Sequence, residues 1–182
     1  MIRSRKNSKN IKGQSLLETV IAIGFVMIIV VGSISMGVYT LQIGSSSQDR
    51  LTAINLAREG IEVIRNIRDS NWLNGDSWDT TISDNLGTMV MNFNPTLTTG
   101  TWTISDAGGD IDTCDTTCQL YLNPIYGVYN HDNTGMPTNF YRGVEISLSG
   151  GKLTVISRVR WIEKNKSYYV TLEEHLTDWR YD

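Results

Sequence analysis

From Val20 to Val31 the chain reads VIAIGFVMIIVV, and no charged residue occurs from Thr19 to Gln48. The apolar character continues through Met36, Val38, Tyr39, Leu41 and Ile43. Leu16 to Tyr39 is long enough to cross a bilayer as a helix, which takes roughly 17–25 residues. After Ser47 the pattern changes. Leu51, Ile54, Ala57, Ile61, Ile64 and Ile67 recur at three- and four-residue steps, with Arg50, Arg58, Glu62, Arg65 and Asp69 on other faces. That periodicity predicts an amphipathic helix to Asp69. No proline occurs in the first 94 residues, so the apolar and amphipathic segments can form one uninterrupted helix.

The last third has a period of two. Val144, Ile146 and Leu148 alternate. After Ser149-Gly150-Gly151, Leu153, Val155, Val159 and Trp161 share one parity, broken by Ser157. After Glu163–Ser167, Tyr168, Val170, Leu172 and Leu176 do the same. This predicts a three-strand antiparallel meander with one apolar face. That face and the helix stripe each need a cover, and each can cover the other. The fold class is therefore α+β, a long N-terminal helix packed on a C-terminal antiparallel sheet. Residues 70–141 are turn-rich, with Asn74-Gly75, Asn85-Leu86-Gly87, Gly108-Gly109 and Asn133-Thr134-Gly135 between short strand-like pieces such as Thr101–Ile104.

Charge sharpens the picture. The 182 residues carry 16 Lys+Arg against 19 Asp+Glu. Five of the basic residues, Arg3, Arg5, Lys6, Lys9 and Lys12, precede the apolar run without one acid among them. The rest of the chain is thus clearly acidic, and no Lys or Arg occurs between Arg68 and Arg142. Such a body repels polyphosphate, so nucleic acid is disfavoured as a partner. The basic leader stays on the cytoplasmic side of the membrane by the positive-inside rule, and the head faces out.

Three readings fit a basic leader before an apolar run. One is a secretory signal peptide cut near Ser33-Ile34-Ser35, which would release a β-rich binding or adhesion module. Another is a plain membrane anchor for the same module. The third takes account of Glu18, since a carboxylate entering hydrocarbon costs about 2.5–3.5 kcal/mol on insertion scales and needs a partner or a function.

The residues around it are Lys12-Gly13-Gln14-Ser15-Leu16-Leu17-Glu18. A basic leader, a glycine, four residues, a glutamate and then a long apolar helix resemble the prepilin signature of type IV pilins and pseudopilins. The run LAREGIEVIRNIRDSNW (56–72) and the closing stretch with Trp161, Tyr169 and Leu176–Trp179 also look like minor pilins. The middle of the chain is not matched. The resemblance implies that a prepilin peptidase cuts after Gly13 and methylates the new N-terminus at Gln14, where the family commonly has Phe. It implies that Glu18 serves assembly, by neutralising the N-terminal ammonium of an adjacent subunit. It divides the chain into a leader at 1–13, a transmembrane and polymerisation helix at 14–45, an amphipathic half at 46–70 and an exported head at 71–182. The implied partners are the peptidase, other pilin subunits, the assembly machinery and, before assembly, the cytoplasmic membrane. The fibre would lie at the cell surface, with no cofactor. Glycines 24, 32, 37 and 44 are either bending points during assembly or places of close helix packing.

The remaining chemistry is sparse. Cys114 and Cys118 enclose three residues; an exported head permits a small disulfide staple, the other reading being two free thiols. Asp106, Asp110 and Asp112 are candidate calcium ligands in an acidic loop, though the spacing is not that of an EF-hand, and a solvated loop is the better reading. His131 and His175 stand 44 positions apart with no nucleophile motif, so no enzyme is expected. His175 is expected to face solvent, and Trp72 and Trp78 to pack the head. Arg158 and Arg160 are a candidate DNA contact, set against a plain solubilising face.

Overall fold

The computed structural model describes residues 12–94 and 101–179. The expected basic leader lies outside the described residues up to position 11. Helix α1 runs Lys12–Asn74, and the chain divides into two compact units, one to Ser46 and one from Ser47.

In the first unit the described side chains from Ser15 to Gly44 are all exposed, including Leu16, Phe25, Ile28, Ile29 and Leu41. The helix is long and apolar enough to cross a membrane.

The second unit is helix on sheet. α1 continues five residues past the expected end at Asp69 and stops at a glycine cap. Gly75 has φ +82°, its N–H donates to Trp72 O at 3.2 Å, and Asp76 N–H donates to Asn71 O at 3.0 Å. This pair of bonds is the Schellman arrangement, which needs a left-handed residue after the helix. Asn74-Gly75, expected to punctuate a loop, is thus the helix terminator.

Among the described residues seven strands form one antiparallel sheet: β1 Gly87–Asn94, β2 Thr101–Asp106, β3 Gln119–Asn123, β4 Val128–Asn130, β5 Met136–Ser149, β6 Lys152–Glu163 and β7 Lys166–Thr177. The predicted meander is β5-β6-β7, paired Ser149↔Lys152 and Glu163↔Lys166 at its two turns. Gly150 and Gly151 have φ +58° and +75°, and Lys164 and Asn165 have +49° and +61°. Two positive φ values in a two-residue connection match the right-handed twist of the strands they join. The far edge of β5 is shared: β1 pairs with its 144–146 region and β3 with its 136–141 region. β2 extends β1, and β4 extends β3. The turn-rich middle thus adds four strands to the meander. β1 buries Met89, Val90 and Met91 in succession, so it lacks the alternation that marks a half-exposed strand.

The core is the helix stripe against the inner sheet face. Ile61, Val63 and Ile64 pack with Met89, Met91, Val144, Ile146, Leu153, Val155 and Leu176. Nearer the start of the unit, Ala53, Leu56 and Ala57 pack with Leu120, Phe140, Val159 and Trp161. Each buried Val, Leu, Ile or Met side chain among them contributes about 1.5–3 kcal/mol relative to exposure. Leu51 corrects the predicted stripe, since it is 62% exposed. It falls with Asn55 and Arg58 at i+4 and i+7, both exposed, whereas the buried stripe starts at Ala53. Tyr168, predicted on the apolar face of β7, is 41% exposed and stacks on Trp161 with ring centroids 5.5 Å apart.

Candidate functional site

Glu18 is the only charged residue between Lys12 and Asp49, and it is exposed near the start of α1. Four hydroxyl side chains along this segment are satisfied within the helix. Thr19, Ser33, Ser35 and Thr40 each turn the hydroxyl back to donate to the carbonyl four residues earlier, at 2.6–2.9 Å. Helices carry such hydroxyls into hydrocarbon at little cost because no donor is stranded. Among the described residues the carboxylate of Glu18 has no such internal partner, and it is the one charged group on a surface that is otherwise largely apolar. At Gly24, Gly32, Gly37 and Gly44 no described heavy atom beyond the chain neighbours and the helix's own nearby backbone lies within 4 Å of where a Cβ would stand. Gly13 and Gln14 fall in the first turn of the helix.

The acidic loop sits over the outer face of β5 and β6. Cys114 and Cys118 form a disulfide with Cα atoms 5.5 Å apart. Asp106 accepts the Gly108 N–H at 2.9 Å, and Asp110 accepts the Asp112 N–H at 2.8 Å. Both carboxylates therefore shape their own turns. Asp112 pairs with Arg158, and Asp115 pairs with Arg160. The Arg160 guanidinium also lies 4.3 Å from the Tyr141 ring centroid. Among the described residues no three His, Cys, Asp or Glu side chains converge to hold a metal, and the three candidate calcium ligands are engaged separately. The two arginines read as an outward cationic face are covered by this loop. Gly143 makes room for it: a Cβ there would lie 2.9 Å from Ile111 Cγ1 and 3.6 Å from Cys114 Sγ.

Beneath the sheet lies a polar group that the sequence pattern did not reveal. Arg142 is 1% exposed. Its Nη1 donates to Leu56 O and faces Glu59 Oε2, and its Nη2 donates to Met91 O, each at 3.4 Å. Burial lowers the Arg142 pKa, and Glu59 pulls it back up. Glu59 is shifted upward by its own burial, with Arg142 opposing. His131 sits beside them. Its Nε2 lies 2.9 Å from Arg142 O, and its Nδ1 can accept the Met91 N–H at 3.3 Å. Burial first, and then the Arg142 charge, lower its pKa to about 4. An arginine inside a run of core strand residues, with a glutamate at a helix position facing it, is the signal that pairwise reading could have used.

His175 is exposed, as expected, with Nδ1 3.2 Å from Thr154 Oγ1. Trp72 is buried, donates to Asp178 Oδ1 at 3.1 Å and meets Trp179 edge-on at 5.1 Å. Trp78 packs at the margin of the core.

The long apolar helix and the antiparallel sheet form an architecture compatible with a pilin-like fold. Comparison with protein families, curated proteins and solved structures finds no match to this chain.

Proposed function

We propose that this chain is a structural subunit of a type IV pilus or pilus-like fibre, of the minor pilin or pseudopilin kind. The observation that carries the reading is the contrast along α1. From Leu16 to Ile43 its large apolar side chains are exposed around a lone carboxylate, Glu18; from Ala53 its apolar stripe is covered by a sheet. The first half needs an apolar environment supplied from outside the chain. The membrane supplies it before assembly, and neighbouring subunits supply it afterwards.

In this reading the prepilin peptidase cuts after Gly13 and methylates Gln14. Glu18 then meets the N-terminal ammonium of an adjacent subunit, so two charges that lipid would not tolerate satisfy each other. The assembly machinery extracts the subunit, and the head is displayed at the cell surface. The role is structural rather than enzymatic. A nucleic-acid contact through Arg158 and Arg160 is disfavoured, because both guanidinium groups already face carboxylates.

N-terminal mass spectrometry of the protein recovered from its cells tests this. A start at Gln14, with or without one methyl, is expected, followed by loss of assembly in Glu18→Ala. A start near Met36 would mean ordinary secretion without the polymerisation helix, and would sink the reading. An intact leader would leave a plain membrane anchor.

A further inference from the structure

The sequence contains 14 asparagines. Only Asn165 begins an Asn-x-Ser/Thr triplet with a residue other than proline in the middle: Asn165-Lys166-Ser167. The other triplet of that form, Asn94-Pro95-Thr96, is blocked by its proline. Asn-x-Ser is the acceptor pattern for transfer of a glycan to the side-chain amide, and it acts only where the enzyme can reach it.

The structure puts this triplet at an accessible place. Lys164 and Asn165 are the two residues of the β6–β7 turn, closed by the Glu163↔Lys166 pair. Asn165, Lys166 and Ser167 are all exposed. Among the described residues β7 pairs with β6 alone, so the turn is flanked there by strand on one side. Among the described residues neither the Asn165 amide nor the Ser167 hydroxyl has a hydrogen-bond partner, so neither is committed to the fold.

We propose that Asn165 is an N-glycosylation site, carrying an oligosaccharide delivered from a lipid-pyrophosphate donor. The inference rests on the reading that the head is exported, since such donors act on exported chains. In the transfer, Asn165 Nδ2 bonds to the anomeric carbon of the sugar. The bond from that carbon to the pyrophosphate oxygen breaks, its electron pair leaves with the phosphate, and one amide proton passes to solvent. The turn position of Asn165 leaves its amide exposed, and Ser167 supplies the hydroxyl that the acceptor pattern requires.

The test uses full-length protein from its own cells, with external protease shaving of intact cells as a parallel measure of export. Cleavage after glutamate releases residues 164–173, whose only asparagine is Asn165. A sugar mass increment on that peptide is expected. Asn165→Gly should abolish it without disturbing the turn, because glycine accepts positive φ freely. Ser167→Ala should abolish it, and Ser167→Thr should retain it. An unmodified peptide from a head that external protease reaches overturns this inference and leaves the fibre reading standing. An increment that survives Asn165→Gly overturns it as well. A head shielded from external protease in intact cells, with the peptide unmodified, overturns both.

Discussion

Gly60 of α1 lies directly against Ser157 of β6: a Cβ at position 60 would stand 2.6 Å from Ser157 Oγ and 2.9 Å from Val144 Cγ2. Ser157 is the residue that breaks the apolar parity of β6, and it is fully buried. The break is steric in origin. A larger side chain at 157 would collide with the helix, and a larger one at 60 would push the helix off the sheet. Gly60→Ala should therefore lower stability. Overpacking costs about 1–3 kcal/mol, against about 1 kcal/mol gained from helix propensity. Ser157→Ala should be neutral or slightly stabilising, because its hydroxyl is buried with no partner among the described residues and its removal relieves a desolvation cost. Thermal unfolding of the detergent-solubilised chain checks both. A Gly60→Ala protein that melts above the parent would contradict the close approach.

Arg142 joins α1, β1 and β5 through Leu56, Glu59 and Met91. Arg142→Met should cost about 1–3 kcal/mol, because it leaves the partly buried Glu59 carboxylate without its partner. The double variant Glu59→Leu/Arg142→Met should recover most of that loss, since a buried ion pair replaced by apolar groups is often neutral or stabilising. Denaturant unfolding of the two single variants and the double variant gives the coupling directly. Additive losses would mean that the 3.4 Å contact carries no energy.

His131 makes stability depend on pH. Its folded pKa, about 4, lies below the unfolded value near 6.5. The unfolded chain therefore takes up a proton first as pH falls. Stability is full above about pH 6.5, declines between about 6.5 and 4, and loses no more than about 3 kcal/mol to this group. Glu59 acts in the opposite sense. Its pKa is raised in the fold, so the folded chain takes up this proton first, and some stability returns as pH falls through the raised folded pKa toward the unfolded value near 4.5. Unfolding midpoints at pH 7.5 and 4.5 should differ, and His131→Gln should shrink the difference. An unchanged pH dependence in His131→Gln would show that the ring is not held neutral by the fold.

The parts of this fold that were legible in the sequence are those with a period. The α1 stripe from Ala57 to Ile67 and the β5-β6-β7 meander follow from 3.6- and 2-residue spacing, because one face of each must be buried. β1 was hidden because Met89, Val90 and Met91 are all buried, which leaves no alternation to read. Leu51 was misplaced because two stripes a few residues apart overlap in a short window. Gly13, Gln14 and Glu18 stand out in the sequence as a linear signature by resemblance alone, and their roles belong to the proposal. The Glu59–Arg142–His131 group was not legible, since its members lie far apart in the chain and come together only through the sheet register.

The loop from Asp106 to Cys118 is held by one covalent and two ionic ties, and their magnitudes are unequal. Closing so short a ring by a disulfide is worth about 2 kcal/mol in the chain-entropy account. The Asp112–Arg158 and Asp115–Arg160 pairs have exposed carboxylates, with side chains 62% and 71% accessible, and such pairs contribute about 0–1 kcal/mol each. The staple should therefore dominate. Cys114→Ala/Cys118→Ala should open the loop to a protease that cuts before aspartate, at Asp110, Asp112 and Asp115, several-fold faster than in the parent. Arg158→Gln/Arg160→Gln, which removes both ion pairs and keeps the disulfide, should have a smaller effect that fades in high salt, where the pairs are screened already. Faster cleavage of Arg158→Gln/Arg160→Gln than of the cysteine double variant would reverse the ranking and assign the loop's position to electrostatics.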